Sequence, residues 1–259
     1  MSADTPTESP RPIVAENPFD ASRIAPGVRR FRFPSDFSAA DWFEAYAAAR
    51  RIGAIVGPHG IGKTTLIREL LRIAAGEAPA DATDERRVPL VDRLSDPLVV
   101  AVETAGRPTL RRLVPHESGF ERREALRFSM LVRALHARRW VIIDGFESLG
   151  PLRRGLLSSL ARIGGGSLLV TTHRPLIGLK SLPSPRPSSD LFITLVHRSA
   201  AEWSNANESA AREQHQPLPW SDAELTALYE RHRGNIREAL FELYDRWAEA
   251  ARRAERSPT

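Results

Sequence analysis

The spacing of apolar positions changes several times along the chain, and each change marks an element. Ser35 to Arg50 carries Phe37, Trp42, Phe43 and Tyr46 at helical intervals, with Ser38 or Asp36 placed to cap. Ile52 to Val56 is a short apolar run of buried-strand character. A glycine-rich turn follows, then an amphipathic helix from about Gly62 to Ala75. Gly76 to Leu94 is polar and proline-containing, a loop. Leu98 to Thr104 reads as a second strand, and Thr109 to Val114 as its hairpin partner across the turn residues Ala105 to Pro108. Glu121 to Ala137 reads as one helix, with Leu126, Met130, Ala134 and Leu135 on a stripe. Trp140 to Ile143 is a strand, Leu152 to Ile163 a helix, and Ser167 to Thr171 a strand after three glycines. Pro175 to Asp190 reads as a loop and Leu191 to Val196 as a last strand.

Strands alternating with helices predict an α/β fold with a mostly parallel sheet in three layers. After Arg198 the pattern is helical only. Ser221 to Glu224 is a capping box, and Ile236, Leu240, Leu243 and Trp247 fall at i, i+4, i+7 and i+11. The expected organisation is a disordered tail over residues 1–18, a core over 19–198 and a small C-terminal helical module over 199–259. The tail is rich in Pro, Ser, Thr and Glu and lacks apolar periodicity.

Composition narrows the class. No apolar run approaches the ~20 residues of a membrane span. The N-terminus lacks a basic segment followed by an apolar one, so no secretory signal is read and a cytoplasmic location is expected. With no Cys, disulfides and thiolate metal sites are excluded. The net charge is +5, and of 37 basic residues only Lys63 and Lys180 are lysine. Acidic residues interrupt the basic ones throughout, so no stripe for nucleic acid stands out.

The chemistry concentrates in four segments. Gly57-Pro58-His59-Gly60-Ile61-Gly62-Lys63-Thr64 fits G-x-x-x-x-G-K-[ST] without a mismatch, between a strand and a helix. Its glycines let backbone N–H groups face phosphate oxygens, Lys63 can reach the outer phosphates, and the Thr64 hydroxyl can ligate Mg²⁺; Thr65 follows in the same turn. Asp144 ends an apolar strand about 80 residues on, where a carboxylate can hold Mg²⁺; a helix-capping Asp is the plainer alternative. Thr171, Thr172 and His173 end the next strand, and Arg231 to Leu240 contains the core G-N-x-R-E ending at Glu238.

Together these segments resemble the AAA+ and STAND (NACHT-like) branch of the P-loop NTPases, over roughly residues 50–250. Many P-loop ATPases have Glu directly after the magnesium Asp; here Gly145 stands there, and Glu147 matches the first acid of the D-G-x-[DE] form. The resemblance implies that Glu147 is the base that polarises water, with Ser148 replacing a second acid. It implies that Thr172 and His173 sense the terminal phosphate; His173 takes the place of an Arg, and Arg174 follows it. It also implies that Arg237 reaches that phosphate from a helical lid. The expected catalytic set is therefore Glu147, Asp144 and Lys63, with Thr64 and Asp144 holding the metal and ATP and Mg²⁺ as ligands. The function expected is a slowly hydrolysing, Mg-ATP-dependent conformational switch. The alternatives are a small-molecule or nucleotide kinase, a non-hydrolysing scaffold, or a DNA-associated loader. No N-K-x-D or L-S-G-G-Q motif occurs, which disfavours a GTPase or an ABC transporter. A protein partner and nucleotide-driven oligomerisation fit the resemblance. Nucleic acid has no supporting feature, and no membrane contact is expected. Arg153, Arg154 and Arg174 are unranked candidates for an arginine finger.

Overall fold

The computed structural model describes residues 17–20, 30–33, 37–79, 97–103, 109–114, 122–206 and 218–256. Residues 1–16 of the expected tail, most of the polar loop before Leu98 and the hairpin turn Ala105 to Pro108 lie outside these. The elements in chain order are α1 (Ala39–Ala48), β1 (Ile52–Val56), α2 (Lys63–Ala74), β2 (Leu98–Glu103), β3 (Thr109–Val114) and β4 (Arg122–Leu126). They continue with α3 (Phe128–His136), β5 (Trp140–Asp144), a 3₁₀ turn (Phe146–Ser148), α4 (Pro151–Gly164), β6 (Ser167–Thr172) and β7 (Lys180–Leu182). The last three are α5 (Ser189–Ala206), α6 (Asp222–Arg231) and α7 (Ile236–Arg256).

The strands form one sheet in the order β4-β3-β2-β5-β6-β1-β7. From β2 to β7 every neighbouring pair is parallel, while β3 and β4 extend β2 as an antiparallel meander. The α/β expectation of a mostly parallel sheet holds.

Period-two alternation in the central strands divides the core between the two faces of the sheet. Val141, Ile143, Leu168 and Val170 pack on one face with Leu131, Leu135 and Leu157 of α3 and α4. Trp140, Ile142 and Leu169 pack on the other with Trp42, Phe43 and Tyr46 of α1 and Leu66, Ile67 and Leu70 of α2. Strands buried on both faces explain the continuous apolar runs, as parallel sheets require. Helix α1 begins with a full capping box, in which the Ser38 hydroxyl and Asp41 carboxylate exchange bonds with each other's backbone N–H. Glu69 of α2, fully buried, accepts from Arg30 Nε at 3.0 Å and Arg30 Nη2 at 2.5 Å. That ion pair holds the segment around Phe31 and Phe33 against α2.

Three expected elements are corrected. Leu191–Val196 is helical, inside α5, because Ser188 caps the helix there: Leu191 N–H donates to its Oγ at 3.1 Å and Phe192 N–H to its carbonyl at 3.0 Å. The buried residues of that run, Phe192 and Val196, are spaced i, i+4. The expected helix from Glu121 is split, since residues 122–126 pair with β3 and the helix starts only at Phe128. The loop from Pro175 contains β7, which pairs with β1.

A third apolar cluster joins α5, α6 and α7 through Phe192, Val196, Leu225, Leu228, Leu240 and Leu243. Phe19, fully buried, packs here against Trp220 and Trp247. Asn17 Nδ2 donates to the Tyr244 carbonyl at 2.9 Å, so the Asn17-Pro18-Phe19 turn is fastened to α7. No described helix is long and apolar enough to cross a membrane.

β7 has only three residues, and it stays on the sheet because Leu182 lies over Gly53. A Cβ at residue 53 would stand 2.7 Å from two atoms of that leucine. Gly53→Ala is therefore expected to lower unfolding stability by about 1–3 kcal/mol through overpacking. Denaturant unfolding reads it, and a neutral result would mean that β7 shifts at no cost.

Candidate functional site

The site gathers at the carboxyl ends of β1, β5 and β6. β6, later in sequence than both, lies between β1 and β5, so Thr171 stands between the phosphate-loop strand and the strand of Asp144. Asp144 is held from both sides. Thr64 Oγ1 donates to its Oδ2 at 2.9 Å, and Thr171 Oγ1 donates to its Oδ1. The Gly145 N–H donates in turn to Thr171 Oγ1 at 2.9 Å. Thr64 and Asp144, expected to share a metal, are brought together, 80 residues apart in sequence.

The phosphate loop turns through Gly60 and Gly62, both in the left-handed region with φ of 77° and 93°. Gly62 is the N-cap of α2 and no side chain caps that end, as suits an anion site on a helix N-terminus. Lys63 Nζ donates to the carbonyls of Gly57 at 2.5 Å and Pro58 at 2.6 Å. Burial lowers the basicity of Lys63, and the Asp144 and Glu147 carboxylates oppose that shift. Ile61 is buried and Thr65 half-buried, while Pro58 and His59 are exposed.

Glu147 lies in the 3₁₀ turn after β5. Its Oε1 is paired with His173 Nδ1, and its Oε2 is buried without a hydrogen-bond partner. His173 Nε2 lies 3.1 Å from His59 Nδ1. Thr172 accepts at its carbonyl from the Gly57 N–H at 3.0 Å, while its buried Oγ1 has no partner. Two buried oxygens without partners, beside an uncapped helix end, suit a site that receives a polar ligand.

Arg237 is exposed in the first turn of α7. It lies near enough to His59 for its charge to lower that imidazole's basicity. The element that meets the loop is its neighbour Asn235. A Cβ at Gly60 would stand 1.8 Å from Asn235 Oδ1, so only a glycine admits this approach. Asn235 Oδ1 also accepts from the Glu238 N–H at 3.3 Å, as an N-cap does. Of the three finger candidates, Arg153 stacks over the Phe128 ring at 5.5 Å and all three lie outside the contacts just described.

Sequence reasoning leaves out the roles of three contributors. Asn235 sits inside the G-N-x-R-E motif, but its capping role drew no attention to the loop it touches. Thr171 was recognised at the strand end without its bond to Asp144. Ser184, whose Oγ accepts from the Val56 N–H at 3.0 Å, follows a strand too short to read.

A glycine-rich loop between a parallel strand and a helix, with an acid on a strand one place removed, defines a P-loop nucleotide-binding fold of the additional-strand type. The chain belongs to the AAA ATPase domain family, whose profile matches residues 40–171, just over half of its length. That match takes in the phosphate loop, Asp144, Glu147 and Thr171, and stops short of His173 and Arg237. A solved structure of PCH-2 from C. elegans aligns with 80% of this chain and 63% of its own, at 16% identity and a TM-score of 0.39. This chain thus spans less than two thirds of that one. The search of curated proteins found no match.

Gly60→Ala is expected to cost about 1–2 kcal/mol for a left-handed residue with a side chain and to push Asn235 off the loop. Faster amide exchange at Ala239, whose N–H donates to the Asn235 carbonyl at 3.1 Å, would register the displacement. Unchanged exchange there would show that Asn235 does not depend on the loop.

Proposed function

We propose that this AAA-family P-loop ATPase binds Mg-ATP between the phosphate loop and the α5–α7 helices, hydrolyses it slowly, and uses the cycle as a conformational switch. The observation that carries the reading is the approach of Asn235 to Gly60, which sets the first turn of α7 on the phosphate loop. The helices act as the lid, and we start it at Ser189, since α5 shares its apolar core with α6 and α7. Arg237 would pair with the terminal phosphate, and loss of that phosphate would release the lid.

Backbone N–H groups of residues 57–62 and Lys63 would cradle the phosphates. Thr64 and Asp144 would hold Mg²⁺, which supplies charge neutralisation of the phosphate oxygens when bound. Glu147 has one oxygen fixed and the other free, the arrangement of a general base for water. Thr172 and His173 would sense the terminal phosphate. The D-G-x-E segment with its displaced acid supports placement near the STAND branch, and AAA-family membership supports nucleotide-dependent assembly with further copies. The helical module at the C-terminus disfavours the kinase reading.

Lys63→Ala is expected to weaken ATP binding by roughly 10²-fold, the scale of a lost charge-assisted contact, with the fold retained by circular dichroism. Asp144→Asn should weaken Mg-ATP more than metal-free ATP in the same titration. Wild-type affinity in the lysine variant would end the nucleotide reading.

The lid makes a separate demand. Arg237→Ala should reduce ATP affinity about 10- to 100-fold and leave ADP affinity nearly unchanged. It should also remove ATP-dependent protection of the α6–α7 region from protease. Equal losses for ATP and ADP would make Arg237 a packing residue.

A further inference from the structure

Three distant segments meet in a cluster of titratable side chains beyond the metal and phosphate contacts. His173, in the bend directly after β6, is paired through Nδ1 with Glu147 in the turn after β5, and its Nε2 lies 3.1 Å from His59 Nδ1 of the phosphate loop. The two imidazole rings are 3.7 Å apart between centroids and tilted by 44°. Glu147 is thereby divided: Oε1 is committed to His173 and Oε2 is buried and unpaired. No other side chain bonds Glu147 among the described residues, so His173 alone fixes its carboxylate.

We infer that His173 is the positioning residue of Glu147, and that His59 ties this pair to the phosphate loop, so that the placement of the base depends on the state of the loop. The inference rests on the reading of Glu147 as the base for hydrolysis. Geometry gives the reason. A glutamate side chain has several rotatable bonds, and the pairing at Oε1 restricts them and so places Oε2. His173 itself stands in the bend directly after the central strand β6, while its second nitrogen faces the phosphate loop. Movement of residues 58–60 therefore reaches Glu147 through two contacts.

Protonation acts on the same chain. Partial desolvation lowers the basicity of His59, and His173, Lys63 and Arg237 lower it further, while Glu147 opposes them. These are the titratable and charged groups facing His59 from the bend after β6, from α2 and α7, and from the turn after β5. Neutral His59 can share one hydrogen with His173 Nε2. A second proton on His59 leaves its Nδ1–H facing that nitrogen and places a positive charge two contacts from Glu147, which makes the carboxylate a weaker base. Turnover should therefore show an acid limb lying below the ordinary imidazole value of about 6.5.

Amide substitutions separate the two contacts, because the Asn amide nitrogen occupies the Nδ1 position of histidine and that of Gln the Nε2 position. His173→Gln should lower kcat roughly 10-fold or more below His173→Asn, the cost of a misplaced base. His59→Gln should remove the acid limb. Independently of activity, proton–nitrogen NMR of the nucleotide-free chain should show the His59 titration moving up in His173→Gln and down in Glu147→Gln. Equal kcat losses in both His173 variants, or an unchanged pH profile in His59→Gln, would overturn the positioning role. A His59 titration that ignores both substitutions would overturn the tie. If wild type binds Mg-ATP without turnover at any pH, hydrolysis itself fails, and the NMR titration still decides whether the three side chains are coupled.

Discussion

Asp144 is the hinge of the architecture. Its carboxylate accepts from Thr64 at the start of α2 and from Thr171 at the end of β6, so one side chain joins the phosphate loop, the acid strand and the strand between them. Both bonds require β6 to be inserted between β1 and β5. That insertion is possible because parallel strands with helical crossovers need not be neighbours in sequence order. The alternation of Trp140, Val141, Ile142 and Ile143 between the two faces then fixes the register at which Asp144 emerges. A one-residue slip would turn every one of these side chains to the wrong face.

The helical part depends on a second, smaller set of contacts. Its core of Phe192, Leu225, Leu228, Leu240 and Leu243 is closed by Phe19 from the N-terminal side, so the chain before α1 is packed with the chain after β7. The Tyr229 hydroxyl donates to the Pro187 carbonyl at 2.7 Å, and Asn235 lies against Gly60. The Tyr229 and Asn235 contacts are polar, in contrast to the two apolar faces of the sheet. A module held by such contacts can be moved at modest cost, which is what the proposed switch requires.

The parts of the fold most legible in the sequence were those with local signals. The strand–loop–helix around Lys63 has fixed glycine spacing and an amphipathic helix behind it. The apolar strand ending in Asp144, and the Ser221 capping box, are equally local. The failures were long-range. β7 is a three-residue edge strand that exists because Gly53 leaves room for Leu182. β4 is a strand because β3 offers it a partner, although its residues have helical character. Leu191–Val196 has the composition of a strand and is helical because Ser188 caps it and the apolar cluster takes its buried face. In the site, Lys63, Thr64, Asp144 and Glu147 were readable from motifs. The bond from Thr171 to Asp144, the contact of His59 with His173 and the contact of Asn235 with Gly60 each need two segments far apart in sequence, and no spacing rule reports them.

The central claim is that this phosphate loop and acid strand form a working nucleotide site. Isothermal titration calorimetry of the unmodified chain with Mg-ATP, followed by competition with ADP, tests it most directly. The account predicts saturable binding at one site per chain, competed by ADP and weakened when Mg²⁺ is chelated. Absence of saturable heat, with the chain folded by circular dichroism, would contradict it.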